Sequence, residues 1–267
     1  MKRTALITGA SSGIGLATAR VLARRGYRVI GTSRDPAALD ETRRADGVEY
    51  VPLDLTDDDS IEALAGLLSG VDVLVNNAGE SQSGPLEELP PEALRRLFQI
   101  NVLGAVRLAQ LALPGMRERG SGRVVMIGSM LASFPLAYRS SYVATKAAIK
   151  GFSDGARHEY SPYGVWLTTV EPGSINTGIS ERRTTYIAPD SPHRAEFDRM
   201  LTALNRNESA GITADEVAAT VVKAIEARRP KPLYAVGSNA PLVFALRRII
   251  PATLAEKVTH RKHDLSR

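Results

Sequence analysis

The sequence contains no cysteine, which excludes disulfides and thiolate chemistry. That fits a reducing compartment, and a cytoplasmic location is the expectation. No unbroken apolar stretch reaches the ~18 residues of a membrane span, and no signal peptide precedes the first structured run. Linker-like composition, internal repeats and low-complexity blocks are also missing. Histidine is scarce: His158, His193, His260 and His263 lie in no triad context, so a hydrolytic Ser–His–Asp site has no support. His260 and His263 are separated by two residues in a basic tail, a pattern more often solvated than metal-ligating, and no metal is expected.

What is present belongs to a globular chain. Of the 267 residues, 43% are hydrophobic and 24% charged, enough for a large core in one domain, or at most two. The net charge of +5 is uneven. From Pro241 onward six basic side chains (Arg247, Arg248, Lys257, Arg261, Lys262, Arg267) face two acidic ones, Glu256 and Asp264. The basic balance therefore describes a tail. It carries no nucleic-acid recognition motif, and no nucleic-acid partner is expected.

Seven short apolar runs read as strands: 3–9, 27–34, 48–56, 71–79, 123–130, 165–173 and 231–237. Helical patterns separate them, including one helix over "SIEALAGLLSG" and a long one from Pro90–Pro91 to about Arg119. Thr213 and Glu216 form a capping box for the last main helix. Strands apolar throughout, alternating with helices, predict an α/β fold: one Rossmann-like, doubly wound domain, its mainly parallel seven-stranded sheet covered on both faces. The expected organisation is a domain over 1–240, with a polar, irregular region at 174–211, and a basic extension over 241–267.

"TGASSGIG" (8–15) follows the first strand and opens the first helix. Unpaired amides at such a helix start attract anions, and Gly9, Gly13 and Gly15 clear space for a tight turn and a pyrophosphate. In "SSYVATKAAIKGF" (140–152), Tyr142 and Lys146 are four residues apart and share a helical face. A free phenol titrates near pKa ~10; a neighbouring ammonium is expected to favour the phenolate and make the ring a usable acid at neutral pH. The second strand ends Thr32-Ser33-Arg34. No acid stands where a ribose 2′-hydroxyl would be bound, and a guanidinium can hold a 2′-phosphate. Asp35 either supplies the ribose-binding acid or simply starts the next turn.

The spacing Thr-Gly-x-x-x-Gly-x-Gly resembles the fingerprint of the short-chain dehydrogenase/reductase family. "DLT" (54–56), "NNAG" (76–79), Asn101, Ser129, Tyr142, Lys146 and "PGSINT" (172–177) follow in family order. The resemblance spans about Thr4 to Gly237. It implies Asn101, Ser129, Tyr142 and Lys146 as the catalytic set, with Ser140 and Ser141 as rivals to Ser129. Asn101 would distort its helix and hold a water linked to the lysine. It also implies an NADP(H) site formed by Gly9, Ser11, Ser12, Gly13, Ile14, Gly15, Ser33, Arg34, Asp54, Leu55, Asn77, Ala78, Gly79, Tyr142, Lys146, Pro172, Gly173, Ile175 and Thr177. The expected reaction moves hydride between nicotinamide and a small-molecule carbonyl or secondary alcohol. Enoyl reductases of the family generally space the tyrosine and lysine more widely. Sugar-nucleotide epimerases are usually longer, with a different glycine spacing. A non-catalytic NADP-binding redox sensor stays open as the alternative.

The resemblance implies that 174–211 is a substrate lid; within it, Tyr186, Ile187, Phe197, Met200, Leu201 and Leu204 either line an apolar pocket or pack a lid helix on the core. Arg182 and Arg183 face an acidic group or water. "KPLYAVG" and the extension resemble the steroid- and retinol-reducing branch, including the 17-beta-hydroxysteroid dehydrogenase type, which implies a lipophilic substrate. The tail itself is expected to cover the pocket, touch a membrane surface or serve an interface. The long helix, apolar around much of its circumference, leaves a face for a partner, and a homodimer or homotetramer is expected.

Overall fold

Strands that carry apolar side chains on both faces need cover on both sides, and that requirement organises the molecule. A computed structural model describes residues 2–178, 181–247 and 249–265. Ile179 and Ser180 of the expected lid, and Arg248 and Arg267 of the basic tail, lie outside the described residues. The main sheet has seven strands: β1 (Thr4–Ile7), β2 (Arg28–Ser33), β3 (Val48–Pro52), β4 (Val73–Asn76), β5 (Gly122–Ile127), β6 (Val165–Pro172) and β7 (Leu233–Val236). Their spatial order is β7-β6-β5-β4-β1-β2-β3, and every pairing is parallel. Leu6 lies opposite Ile30 on one side and Leu74 on the other. The chain thus reverses direction of winding between β1 and β4, where such folds open a crevice at the carboxyl ends of the strands.

Alternation along the strands divides the core in two. Leu6, Ile30, Leu74, Val124, Met126 and Leu167 face one layer, with α5 (Gly104–Glu118) supplying Leu108, Ala112, Leu113 and Met116. Ala5, Ile7, Val29, Val75, Val125 and Val170 face the other. There α1 (Gly13–Arg24) contributes Ala19 and Leu22, and α8 (Ala214–Glu226) contributes Val217, Val221 and Ile225. A third cluster joins Phe197, Met200 and Leu204 of α7 (Arg194–Ser209) to Leu136 and Leu265. Truncating any one of these fully buried leucines to alanine removes roughly 2–5 kcal/mol.

The predicted elements appear, with shorter ends and three corrections. The single helix expected after β3 is two, α2 (Asp58–Glu62) and α3 (Ala65–Leu68), because Leu64 sits at φ −89°, ψ 0°, outside regular helical geometry. The long helix is α4 (Pro91–Phe98), a π turn (Gln99–Leu103) and α5. Pro91 opens it at a position needing no N–H. Together these form a 28-residue run, Pro91–Glu118, apolar and long enough to cross a membrane, contrary to the sequence expectation. Its apolar residues are interrupted by charges such as Arg107, so no unbroken run exists in the sequence; the helix gathers them onto one side. More than half of that stretch is buried, against the sheet. The capping box on α8 forms as expected: the Glu216 carboxylate accepts from Thr213 N at 2.8 Å, and Thr213 Oγ1 accepts from Glu216 N at 3.3 Å.

The remaining helices are α6 (Ser140–Tyr160), α9 (Ala240–Leu246) and α10 (Ala252–Lys262). The extension folds back onto the lid. Phe244 packs edge-to-face on Phe134 with centroids 5.2 Å apart. Arg206 pairs with Asp264 at 3.2 Å.

Candidate active site

At the carboxyl ends of β1, β2, β4, β5 and β6 a cleft of about 540 Å³ opens. Its floor begins with the glycine loop. Gly9 and Gly13 adopt φ +66° and +51°, which side chains rarely tolerate. Ser12, the N-cap of α1, makes no side-chain cap bond, and no acidic residue lies in the first turn. The first amides of α1 therefore remain free for a ligand, a cradle that fits a dinucleotide phosphate. Ser11, Ser12, Gly13 and Ile14 line the cleft. Gly15 does not. A Cβ there would fall 2.3 Å from the Gly9 carbonyl oxygen, so this glycine lets α1 pack under the loop. The NNAG segment is tied to the same loop: Thr8 Oγ1 accepts from Asn77 N and Ala78 N, each at 2.9 Å. Asn77, Ala78 and Gly79 line the wall.

One end of the cleft is basic. Ser33, Arg34, Asp54 and Leu55 line it, and so does Arg43, which no sequence motif singled out. Asp35 resolves as a turn residue: its carboxylate accepts from Ala37 N at 3.0 Å and Ala38 N at 3.1 Å. The acid that complicated the ribose end is thus spent on its own backbone. Asp54 is held below the usual carboxylate range, chiefly by the amide and hydroxyl of Thr56.

Further along, β5 and α6 bring Ser129, Tyr142 and Lys146 to the same wall, and Pro172, Gly173, Ile175 and Thr177 face them from the end of β6. The rivals to Ser129 fall away by position. Ser140 is exposed, Ser141 is buried, and neither lines the cleft. Lys146 is buried, and its ammonium donates to the Ile127 carbonyl at 2.9 Å; burial pushes its pKa down to about 8. Tyr142 is also buried. Burial raises its pKa, while Arg139, then Ser129 and Arg183, pull it down and Glu208 opposes them. Two cations, Lys146 and Arg139, stand beside the ring. Lys146 Nζ lies 5.7 Å from the ring centroid, whereas the Arg139 guanidinium carbon lies 4.3 Å from it.

Asn101 lies behind the wall, in the π turn. Its Oδ1 accepts from Glu80 N at 2.8 Å, and its Nδ2 donates to Glu80 O at 3.0 Å and Thr145 Oγ1 at 3.2 Å. From the π turn this side chain bonds the loop that follows NNAG and Thr145 of α6.

The far end of the cleft is mainly apolar. Met130, Leu131 and Phe134 form one side; Val243, Leu246, Ile250, Ala255 and Val258, all from the extension, form the other. Of Tyr186, Ile187, Phe197, Met200, Leu201 and Leu204, the apolar residues proposed for the pocket, Leu204 alone faces the cleft; Phe197 and Met200 are spent on the lid core. Arg182 lines the cleft. Arg183 does not face water: it is buried and pairs with Glu208 at 2.5 Å. Covering the pocket is one of the three roles expected of the tail, but its spacing shows only an amphipathic pattern, not which residues meet the cleft.

Comparison with known proteins agrees with this geometry. A family model described as short chain dehydrogenase matches residues 3–187. An uncharacterised oxidoreductase, YusZ of Bacillus subtilis, is 32% identical, with 98% of each chain covered. Human retinol dehydrogenase 8 is 32% identical over 85% of this chain and 79% of its own. Among solved structures, a short-chain dehydrogenase from Streptomyces avermitilis superposes with a TM-score of 0.81 at 35% identity, covering 98% and 96% of the two chains. One from Sphingobium yanoikuyae, in complex with NADPH, gives 0.71 at 29% identity over 92% and 94%. With a cradle for a nicotinamide dinucleotide at one end of its cleft and a buried tyrosine midway, the chain belongs to the short-chain dehydrogenase/reductase family of oxidoreductases.

Proposed function

We propose that this chain is an NADP(H)-dependent oxidoreductase that interconverts a carbonyl and a secondary alcohol on a lipophilic small molecule, with Tyr142 as the acid and base. One observation carries this most directly: Tyr142 and Ser129 stand in one cleft between the uncapped start of α1 and an apolar wall. The bound nicotinamide supplies or accepts hydride. Arg34 and Arg43 suit a ribose 2′-phosphate, and the NADPH complex of the relative from Sphingobium yanoikuyae supports that choice over NAD.

The protein's own groups do the rest. Ser129 and Tyr142 donate hydrogen bonds to the substrate oxygen, where negative charge develops. In reduction Tyr142 passes its proton to that oxygen; in oxidation the phenolate takes it back. Lys146 has three donors, of which one is used on Ile127, leaving two for ribose hydroxyls. Asn101 holds the loop after NNAG in place, and a proton path through it to Lys146 belongs to the same proposal. The apolar wall excludes water and selects an apolar substrate body.

Two measurements test this. NADPH consumption is followed against steroids, retinoids, quinones, simple ketones and acyl-carrier ketones, and turnover of at least one lipophilic ketone is expected. Tyr142→Phe should then lose at least a thousandfold in kcat with NADPH affinity unchanged, in line with general acid catalysis (~10²–10⁴-fold) plus a lost oxygen contact. Activity retained in Tyr142→Phe refutes the assignment; no turnover on any ketone, with NADPH still bound, refutes the enzyme.

A further inference from the structure

The tail brings to the cleft two polar side chains that its apolar wall does not explain. His263 is not solvated, as its spacing from His260 suggested. It is 7% exposed and lines the cleft together with Thr259, one turn earlier. His263 Nδ1 lies 2.8 Å from the Thr259 carbonyl oxygen. A carbonyl only accepts, so Nδ1 carries the ring proton. Burial lowers the pKa of the ring; Lys262 and His260 act the same way, against the Thr259 carbonyl and Glu208. The imidazole is therefore neutral at neutral pH, and Nε2 is left as a bare acceptor. Nε2 makes no hydrogen bond among the described residues. Thr259 is in the same condition. Its Oγ1 donates to Ala255 O at 2.9 Å, so its proton is spent and only lone pairs remain for the cleft.

The end of α10 holds both groups in place. Asp264 N donates to Arg261 O at 3.2 Å, and Leu265 N donates to His260 O at 3.1 Å. These are the paired bonds of a Schellman cap, with Asp264 at φ +57°, where glycine is usual. The lid helix α7 grips the same turn from outside. Arg206 pairs with Asp264 at 3.2 Å, Asn207 Nδ2 donates to Lys262 O at 3.3 Å, and Leu265 packs with Phe197, Met200 and Leu204. Two fixed acceptors thus stand beside Ala255 and Val258 of the apolar wall. Acceptors in a space that excludes water are costly unless a donor meets them. Arg182 and Lys262 line the same cleft, and Glu208 is paired with Arg183, so the local field opposes a cationic donor. A neutral hydroxyl suits the site.

We propose that His263 and Thr259 form a substrate-binding pair that accepts a hydrogen bond from a hydroxyl carried by the lipophilic substrate, remote from its reacting carbonyl. This deepens the reading of the cleft as a site for a lipophilic carbonyl compound and rests on it. The apolar wall then holds the body of the substrate, Tyr142 and Ser129 meet one end, and the final turn of α10 meets the other.

The test uses methyl ketones that carry, at the far end of an alkyl spacer, a phenyl ring with a para hydroxyl, a para methoxy group or hydrogen. Spacer length is varied so that one member matches the span of the cleft. Calorimetric Kd values are measured on the NADP+-loaded protein, which has no hydride to give, so binding is read without turnover. The phenol should bind roughly threefold to tenfold tighter than its methoxy and unsubstituted counterparts, the value of one hydrogen bond. In His263→Phe, which keeps a flat ring, that ratio should fall to near one; Thr259→Val should lower it by less. Should His263→Phe not fold, the fall in Thr259→Val carries the test. A parent that shows no preference for the phenol at any spacer length overturns the inference. So does a preference that survives in both variants. A purely structural role for His263 would weaken all three ketones by the same factor and leave the ratio intact, which overturns it as well. Tighter binding of a para aminomethyl ketone than of the phenol overturns it in favour of a cation site. The expected ratios, found without reduction of any ketone by NADPH, support the binding pair while refuting the oxidoreductase.

Discussion

At the scale of single residues, we propose that two arginines set the choice of cofactor. Arg34 and Arg43 lie at the cleft end where a 2′-phosphate would sit, and Asp35 is turned onto its own backbone. Replacing Arg34 with aspartate should cost NADPH at least tenfold in Kd while improving NADH, because the new carboxylate repels a phosphate and accepts from a ribose hydroxyl. Fluorescence titration with both cofactors checks it, and an unchanged preference for NADPH would move the discrimination to Arg43 or elsewhere. At this scale the sequence was legible where spacing encodes proximity. Tyr142 and Lys146 are one turn apart on a helix, and Gly9 and Gly13 follow a strand, so their placement could be read directly. Arg139 could not. Its place in the cleft wall is fixed by bonds to Ser81 and Ser83, more than fifty residues away, and nothing in the local string announces that contact.

Elements show the same division. The strands were legible because each is a short, mostly apolar run, and Thr213 with Glu216 marked the start of α8 by a local hydrogen-bond exchange. The π turn at Gln99–Leu103 was legible only through the resemblance that put a distorting asparagine there. The break at Leu64 was not, since both α2 and α3 continue the same helical pattern. Nor was the fate of α9 and α10, whose inner residues wall the cleft. Val243 is one of these. Val243→Trp should fill the apolar end and raise KM for a bulky ketone by about tenfold, in keeping with the few kcal/mol that overpacking costs, while NADPH affinity stays constant. Steady-state kinetics with a large and a small ketone separate the two outcomes. Equal effects on both would mean that α9 acts on the fold and not on the pocket.

At the scale of the whole molecule, the outer side of the long helix and of α6 remains without cover. Leu103 is 53% exposed and Phe152 48%, on the side of the sheet away from α1 and α8. Members of the family commonly form oligomers, and we propose that this face joins two copies as a homodimer or as half of a homotetramer. Sedimentation velocity should show at least a dimer at micromolar concentration, and Leu103→Asp/Phe152→Asp should shift it towards monomer. A parent chain that sediments as a monomer at every concentration refutes the proposal. The two halves of the cleft also have separate origins along the chain. The dinucleotide end is drawn almost wholly from segments before residue 178, whereas Val243, Leu246, Ile250, Ala255 and Val258 all come from the last thirty. Divergence can therefore act on one half without disturbing the other. The final helices are free to drift towards new substrates, one wall residue at a time, while the hydride-handling apparatus upstream is left intact.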